Sequence, residues 1–164
     1  MDLMQERWKP HLTVAAVIEQ DGRYLLIEEH TRDGLRLNNP AGHLDPGESP
    51  EQACQREALE ETTHHFEPQA LVGMYLSRTR REWAGQDITY VRLAFCGRLG
   101  PVVPGAQLDQ GIERTLWMSL EEVRASVARH RSPMVLRCIE DHARGQRYPL
   151  SLIHTDPSVA DPQA

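Results

Sequence analysis

Three glutamates in this chain are spaced to do chemistry together. Glu57, Glu60 and Glu61 stand at i, i+3 and i+4 in the run Glu51 to Thr62, which holds no Gly or Pro. On a helix, at roughly 100° per residue, that spacing puts all three carboxylates on one face. Like charges on one face repel, and the cost has two readings. One is a solvated acidic face on a surface helix, which is common in runs such as EALEE. The other is a divalent cation, which turns the repulsion into attraction. Carboxylate oxygens suit Mg2+ or Mn2+, and Mg2+ usually takes one or two carboxylates together with phosphate oxygens of a substrate. Acid is concentrated around these residues. From Gly42 to His64 the chain carries Asp45, Glu48, Glu51, Glu57, Glu60 and Glu61 against Arg56 alone.

The elements that position the glutamates follow from their neighbours. Gly42 to Gly47 holds two glycines and Pro46, so it reads as loop. Ser49 offers a helix N-cap, Pro50 fits the first turn, and Gln52 stands three residues after Ser49, as in a capping box. A helix is therefore expected from Glu51 to Thr62.

The whole stretch resembles the Nudix box, Gly-x5-Glu-x7-Arg-Glu-U-x-Glu-Glu-x-Gly-U, where U is a bulky aliphatic. Gly42, Glu48, Arg56, Glu57, Glu60 and Glu61 fall on its fixed catalytic positions. The resemblance implies that Glu57 and Glu61 are metal ligands and that Glu60 ligates or holds an ordered water. It also implies that the backbone carbonyl near Ala41-Gly42 completes the coordination. Glu57 is a candidate base for the attacking water, and Arg56 orients the carboxylates by pairing with Glu48. Many relatives carry one more Glu in a later loop, at a position held here by Gly111; Asp109 and Glu113 are the candidates to replace it. Three positions depart from the box: Ala58 for a larger aliphatic, Thr63 for the second Gly, and His64 for the last aliphatic. The missing Gly normally supplies a left-handed residue at the helix C-cap, a conformation that β-branched Thr tolerates poorly.

Composition narrows the function classes. At 164 residues and 40% apolar, the chain is sized for one domain with a proper core. A single domain is expected over 1–153 and a disordered polar tail over 154–164. No apolar stretch approaches the length of a membrane span, and MDLMQERWKP lacks the apolar centre of a signal peptide. Cys54, Cys96 and Cys138 are odd in number and far apart, so neither a metal pair nor a disulfide framework is expected, and the cytoplasm is the natural compartment. A net charge of −6 argues against bulk nucleic acid as a partner. A small anionic substrate would need a metal beside these carboxylates.

In chain order, Met1 to Pro10 reads as a loose arm. His11 to Gln20 and Arg23 to His30 read as strands joined by a hairpin turn at Asp21-Gly22. Thr31 to Arg36 reads as loop, and Pro40 makes Leu37 to Ala41 extended or an edge. His64, His65 and Pro68 read as a turn after the helix. Gln69 to Arg78 and Asp87 to Leu99 read as strands, with Val91, Leu93 and Phe95 alternating with Tyr90, Arg92 and Ala94. Between them, Thr79 to Gln86 reads as a loop with Arg80 and Trp83. That loop is either ordinary surface or a substrate rim, with arginine on phosphate and Trp83 on a ring. Arg92, in mid-strand, points either at a phosphate or at solvent. Gly100 to Gly111 reads as loop and Glu113 to Met118 as a strand. Helices follow from Ser119 to about Arg129 and from Met134 to Arg144. Both faces of the sheet need cover, so the expected fold is α/β, a Nudix-type α/β/α sandwich around a mixed β-sheet.

Beyond the box, KPHLTVA (Lys9 to Ala15), NPAGHL (Asn39 to Leu44), RSP (Arg131 to Pro133) and GQRYPL (Gly145 to Leu150) are similar to the NudJ branch of bacterial Nudix phosphatases. That resemblance implies Mg2+-dependent phosphate release from nucleoside di- and triphosphates and from pyrophosphates of the thiamine and hydroxymethylpyrimidine type. The expected partner is a small nucleotide or pyrophosphate, the protein being a monomer or a homodimer. The competing class is a non-catalytic Nudix-fold module that binds a nucleotide for regulation. Such modules commonly lose box carboxylates, and this chain keeps them.

Overall fold

The computed structural model describes residues 6–161. Residues 1–5 of the expected N-terminal arm and 162–164 of the expected tail lie outside the described residues.

The fold is built on a strand buried on both faces. β1 (His11–Val17) lies between β5 (Ala41–His43), antiparallel, and β7 (Gln86–Val102), parallel. β6 (His64–Arg81) pairs antiparallel with β7 and completes a mixed sheet in the order β5-β1-β7-β6. Period-2 geometry sends Val14, Ala16 and Ile18 to one face and Ala15 and Val17 to the other. That is why the strand reads as a continuous apolar run. One face is closed by the helix α1 (Pro50–Thr62), through Ala53, Cys54 and Ala58. The other face is closed by α2 (Leu120–Ala125) and α3 (Met134–Ala143), through Val123, Val135, Cys138 and Ile139. The α/β/α layering therefore stands as expected.

A second, antiparallel sheet adjoins the first. The β1 ribbon breaks at Ile18, and β2 (Glu19–Gln20) turns back into β3 (Arg23–Thr31). The turn itself is the expected one: Asp21 and Gly22 both have positive φ, 52° and 79°. β3 also pairs with β4 (Gly34–Asn38) and with β8 (Ile112–Ser119).

Several segments differ from the sequence reading. Residues 34–36, expected as loop, are strand: with Leu37 and Asn38 they form β4, because their backbone pairs with β3. His64 to Pro68 is strand rather than turn; register shifts between His64 and Phe66 and between Pro68 and Ala70 absorb the proline. The expected loop Thr79 to Gln86 is mostly hairpin arm, closed by a 3-10 turn at Glu82–Ala84. β7 runs on through Gly100 to Val102. α2 stops at Ala125, and a separate 3-10 turn covers Val127–Arg129. Within the expected polar tail, Asp156 caps a 3-10 turn at Pro157–Ala160. No helix among the described residues is long and apolar enough to cross a membrane.

Candidate active site

The helix that carries the glutamates is fixed at its start by its own sequence. Ser49 accepts from Gln52 N–H, and the Gln52 side chain accepts from Ser49 N–H, so the capping box is complete. The loop before it folds onto Arg56. The Arg56 guanidinium donates to both oxygens of Glu48, at 2.7 and 3.0 Å, and to the His43 carbonyl at 2.9 Å. Its remaining nitrogen donates to Glu57 Oε1 at 2.8 Å and to Glu60 Oε2 at 3.2 Å. Asp45 adds an ion pair at 3.3 Å. Arg56 is thus the hub that binds loop to helix and spaces the carboxylates. Hydrogen bonding to Arg56 holds Glu48 below the usual carboxylate range, and the same bond with Glu48 raises Arg56 further.

Glu57 and Glu61 lean on β5. Ala41 N–H donates to Glu61 Oε2 at 2.9 Å. A Cβ on residue 42 would lie 2.0 Å from Glu57 Oε1, so the Glu57 carboxylate occupies the space that only glycine leaves open. Burial pushes the Glu61 carboxyl up to about 9; Glu57, Glu29 and Asp109 add repulsion, and the Ala41 N–H opposes the shift. Burial also raises Glu57, against the pull of Arg56 and with repulsion from Glu60 and Asp109. The pair is therefore short of positive charge.

The donor set is hard oxygen, which suits Mg2+ or Mn2+. Glu57 and Glu60 each lend one oxygen to Arg56, and Glu61 lends one to Ala41 N–H. Among the described residues, no three His, Cys, Asp or Glu side chains are already gathered as a ligand set.

Beside β5 the mixed sheet opens into a cleft of about 290 Å³ on the α3 side. Ala41, Gly42 and His43 form one end; Thr13, Tyr90, Arg92 and Ser77 form its floor, with Arg131 and Ser132 from the turn before α3. Of the residues expected to touch substrate, Arg92 lines this cleft, as does Arg81 from the arginines of the expected rim; Arg80 and Trp83 do not. Arg80 lies 3.8 Å from Asp87 across the hairpin. Trp83 is exposed at the hairpin tip, with Arg32 over its ring at 5.8 Å. The candidates to replace the loop Glu also separate. Asp109 lies beside the helix, its N–H on the Glu60 carbonyl at 2.9 Å. Glu113 is engaged by His30 at 2.7 Å. Gly111 has φ +100°, a backbone that a glutamate would adopt only under strain. Cys54 is fully buried and its thiol is pushed far up by burial, in keeping with a packing role.

The profile of the family described as NUDIX domain matches residues 9–138. The chain belongs to the Nudix family. A Nudix hydrolase structure from Nitrosomonas europaea is 50% identical, covers 90% of this chain and 98% of its own, and superposes with a TM-score of 0.84. Phosphatase NudJ of Escherichia coli K12 is 35% identical over 147 residues, 89% of this chain and 92% of that protein. The Nudix domain of Shewanella oneidensis NrtR, solved with ADP ribose, shares the fold at 19% identity and a TM-score of 0.65, over 85% of this chain and 90% of its own. This Nudix protein is a hydrolase of acid anhydrides in phosphorus-containing compounds.

Parts of this Nudix site gave no signal as chemistry in the sequence. Glu29 and Asn38 read as ordinary strand or extended residues, and Asn39 and Arg131 to Pro133 only as pieces of a resemblance. Asp45 read as one acid among six. The cleft joins residues of six strands to the turn before α3, and no local pattern marks that meeting.

Proposed function

We propose that this Nudix hydrolase is Mg2+-dependent, with Mn2+ as an alternative ion. Its substrates are nucleoside di- and triphosphates and small pyrophosphates of the thiamine or hydroxymethylpyrimidine type, and it releases phosphate. The observation that carries the reading is the electron-rich pair Glu57 and Glu61. The pair is seated on Gly42 and Ala41 at the mouth of an arginine-lined cleft. A bound divalent ion would supply neutralisation of the anhydride's charge and Lewis-acid polarisation of its phosphoryl oxygens. Glu57, Glu61 and the Gly42 carbonyl would hold it, with Glu60 as a further ligand or as the holder of an ordered water.

The protein's own residues then divide the work. Arg56 keeps Glu57 and Glu60 in place through two hydrogen bonds, and Glu48 keeps Arg56 in place through two more. Glu57 is the base we assign to the attacking water, with Asp109 as the second candidate, since Asp109 is the loop carboxylate that repels both Glu57 and Glu61. We place the protein in the cytoplasm, where its three free cysteines, all buried, stay reduced.

The test is phosphate release from ADP, ATP and thiamine diphosphate, with Mg2+ and with chelator. Turnover that chelator abolishes and Mg2+ restores is the expected result, together with a rise in melting temperature on adding the ion, blunted in Glu57→Gln. Nucleotide binding without turnover under any metal would favour a regulatory module instead.

A further inference from the structure

We propose that Arg92 anchors a second phosphate of the substrate, next to the one engaged at Glu57 and Glu61. The proposal rests on the phosphohydrolase reading and adds where the rest of the diphosphate is held.

Arg92 sits in mid-strand on β7, is 8% exposed and lines the cleft. Its guanidinium donates to Asn39 Oδ1 at 3.0 Å and to Asn38 Oδ1 at 3.1 Å. Both acceptors are neutral. Among the described residues, no ion pair engages Arg92, whereas the other two arginines of the cleft each have one. Arg81 pairs with Asp33 at 3.4 Å and Arg131 with Glu29 at 3.5 Å. A buried cation without a counter-ion is costly, and folds keep one where an anion is meant to meet it. A guanidinium has five N–H donors in a fork that matches phosphate; the two asparagines position it without neutralising it.

The surroundings increase the demand for an anion. Asn39 Oδ1 also accepts from Cys138 Sγ at 3.3 Å, which places the Arg92 head beneath the middle of α3. Ser132 and Met134, at the start of that helix, line the same cleft. Thr13, Ser77, Thr79 and Ser132 add hydroxyls to the lining. The nearest cleft carboxylate, Glu29, is already engaged by Arg131 and by Asn38 Nδ2 at 3.3 Å.

Position then selects the ligand. Asn38 and Asn39 hold Arg92, and Ala41 and Gly42, three residues further on, seat Glu61 and Glu57. One short connector thus carries both groups, which suits a substrate with adjacent phosphates. A cleft of about 290 Å³ lies at the small end of ligand sites, which favours one ring with its diphosphate over a dinucleotide.

The experiment compares wild type with Arg92→Lys, Asn38→Asp and Arg131→Gln. Steady-state hydrolysis of ADP with Mg2+ gives KM and kcat. Calorimetric titration with inorganic pyrophosphate in chelator reads the anchor without turnover, so it decides the proposal even if no hydrolysis is found. Arg92→Lys should raise KM about tenfold or more, leave kcat within about threefold, and weaken pyrophosphate to match. Asn38→Asp gives the guanidinium its own carboxylate, at the cost of the Asn38 bond to Glu29; it should still raise KM. Arg131→Gln should act more weakly, because Arg131 already has a partner. Wild type that fails to bind pyrophosphate in chelator would overturn the anchor. So would a folded Arg92→Lys or Asn38→Asp with wild-type KM and pyrophosphate affinity.

Discussion

Replacing Thr63 with glycine should stabilise this protein. Thr63 closes α1 with φ 62° and ψ 8°, in the left-handed region. For an L-residue that conformation costs roughly 1–2 kcal/mol, and a branched Cβ makes it an outlier. Glycine removes the cost but adds about 0.5–1 kcal/mol of unfolded-chain entropy. The bonds of the helix exit do not depend on the Thr63 side chain. Thr63 N–H donates to the Leu59 carbonyl at 2.9 Å, and the Thr63 carbonyl accepts from Val103 N–H at 2.8 Å. The neighbouring hydroxyl, Thr62 Oγ1, donates to the Ala58 carbonyl at 2.6 Å and is untouched. The net gain should therefore be about 0.5–1 kcal/mol, a rise in melting temperature of roughly 2–4 °C per kcal/mol at this chain length. Urea melts give it directly, as a higher midpoint at unchanged slope. Asn, which tolerates the left-handed region, should fall between Thr and Gly. Turnover should not change, because Glu61 lies upstream of the exit. A loss of about 1 kcal/mol or more in Thr63→Gly would show that the threonine side chain supports this exit, and the strain argument would fail.

Glu61→Gln should lower kcat/KM by about two to four orders of magnitude, roughly 3–5 kcal/mol of transition-state stabilisation, while its amide oxygen still accepts from Ala41 N–H and keeps the fold. Gly42→Ala should drive Glu57 off β5 and cost about 100-fold or more in kcat/KM with a near wild-type melting curve, because small misplacements at the reacting groups are that expensive. Burial alone would raise the Asp141 carboxyl, but the Tyr75 hydroxyl at 2.8 Å and the Arg137 and Arg144 guanidinium groups outweigh it and hold it below its ordinary value. Its contribution to stability is therefore complete above the unfolded-chain value and is lost as pH falls through the folded one. Asp141→Asn should cost about 1–3 kcal/mol at pH 7, and denaturant melts should show the gap from wild type closing below about pH 4.

What could be read in advance was what short-range rules govern. The capping box at Ser49, the turn at Asp21-Gly22 and the strand alternation around Leu93 each declare themselves within a few residues. The face shared by Glu57, Glu60 and Glu61 follows from helix period alone. The errors came where a distant partner decides. Residues 34–36 look like loop in the sequence, yet β3 supplies the pairing that makes them strand. Pro68 argues for a turn until β7 lies beside it and a register shift accommodates the ring. Arg80 and Arg92 look equally suited to phosphate in the sequence. Strand parity separates them: Arg80 falls on the face away from the cleft, opposite Asp87, and Arg92 on the face within it. The need for glycine at 42 is likewise tertiary, since the atom it makes room for belongs to Glu57.

The parallel pairing of β1 with β7 sets an order of events on the folding chain. His11 faces Tyr90 and Val17 faces Cys96, so the central pair closes a long loop. Loop closure is entropically costly and must precede the contacts that repay it. The β6–β7 hairpin is local and carries Phe66, Leu71, Leu93 and Phe95, half of the buried floor under α1. On a ribosome, the helix with the carboxylates emerges before that floor exists. Its apolar side, Ala53, Cys54 and Ala58, finds its full surface only once the chain has been made as far as Phe95. Folding of this protein should therefore wait on the hairpin, with β1 docking late, and the acidic helix should be the last element to gain protection against hydrogen exchange.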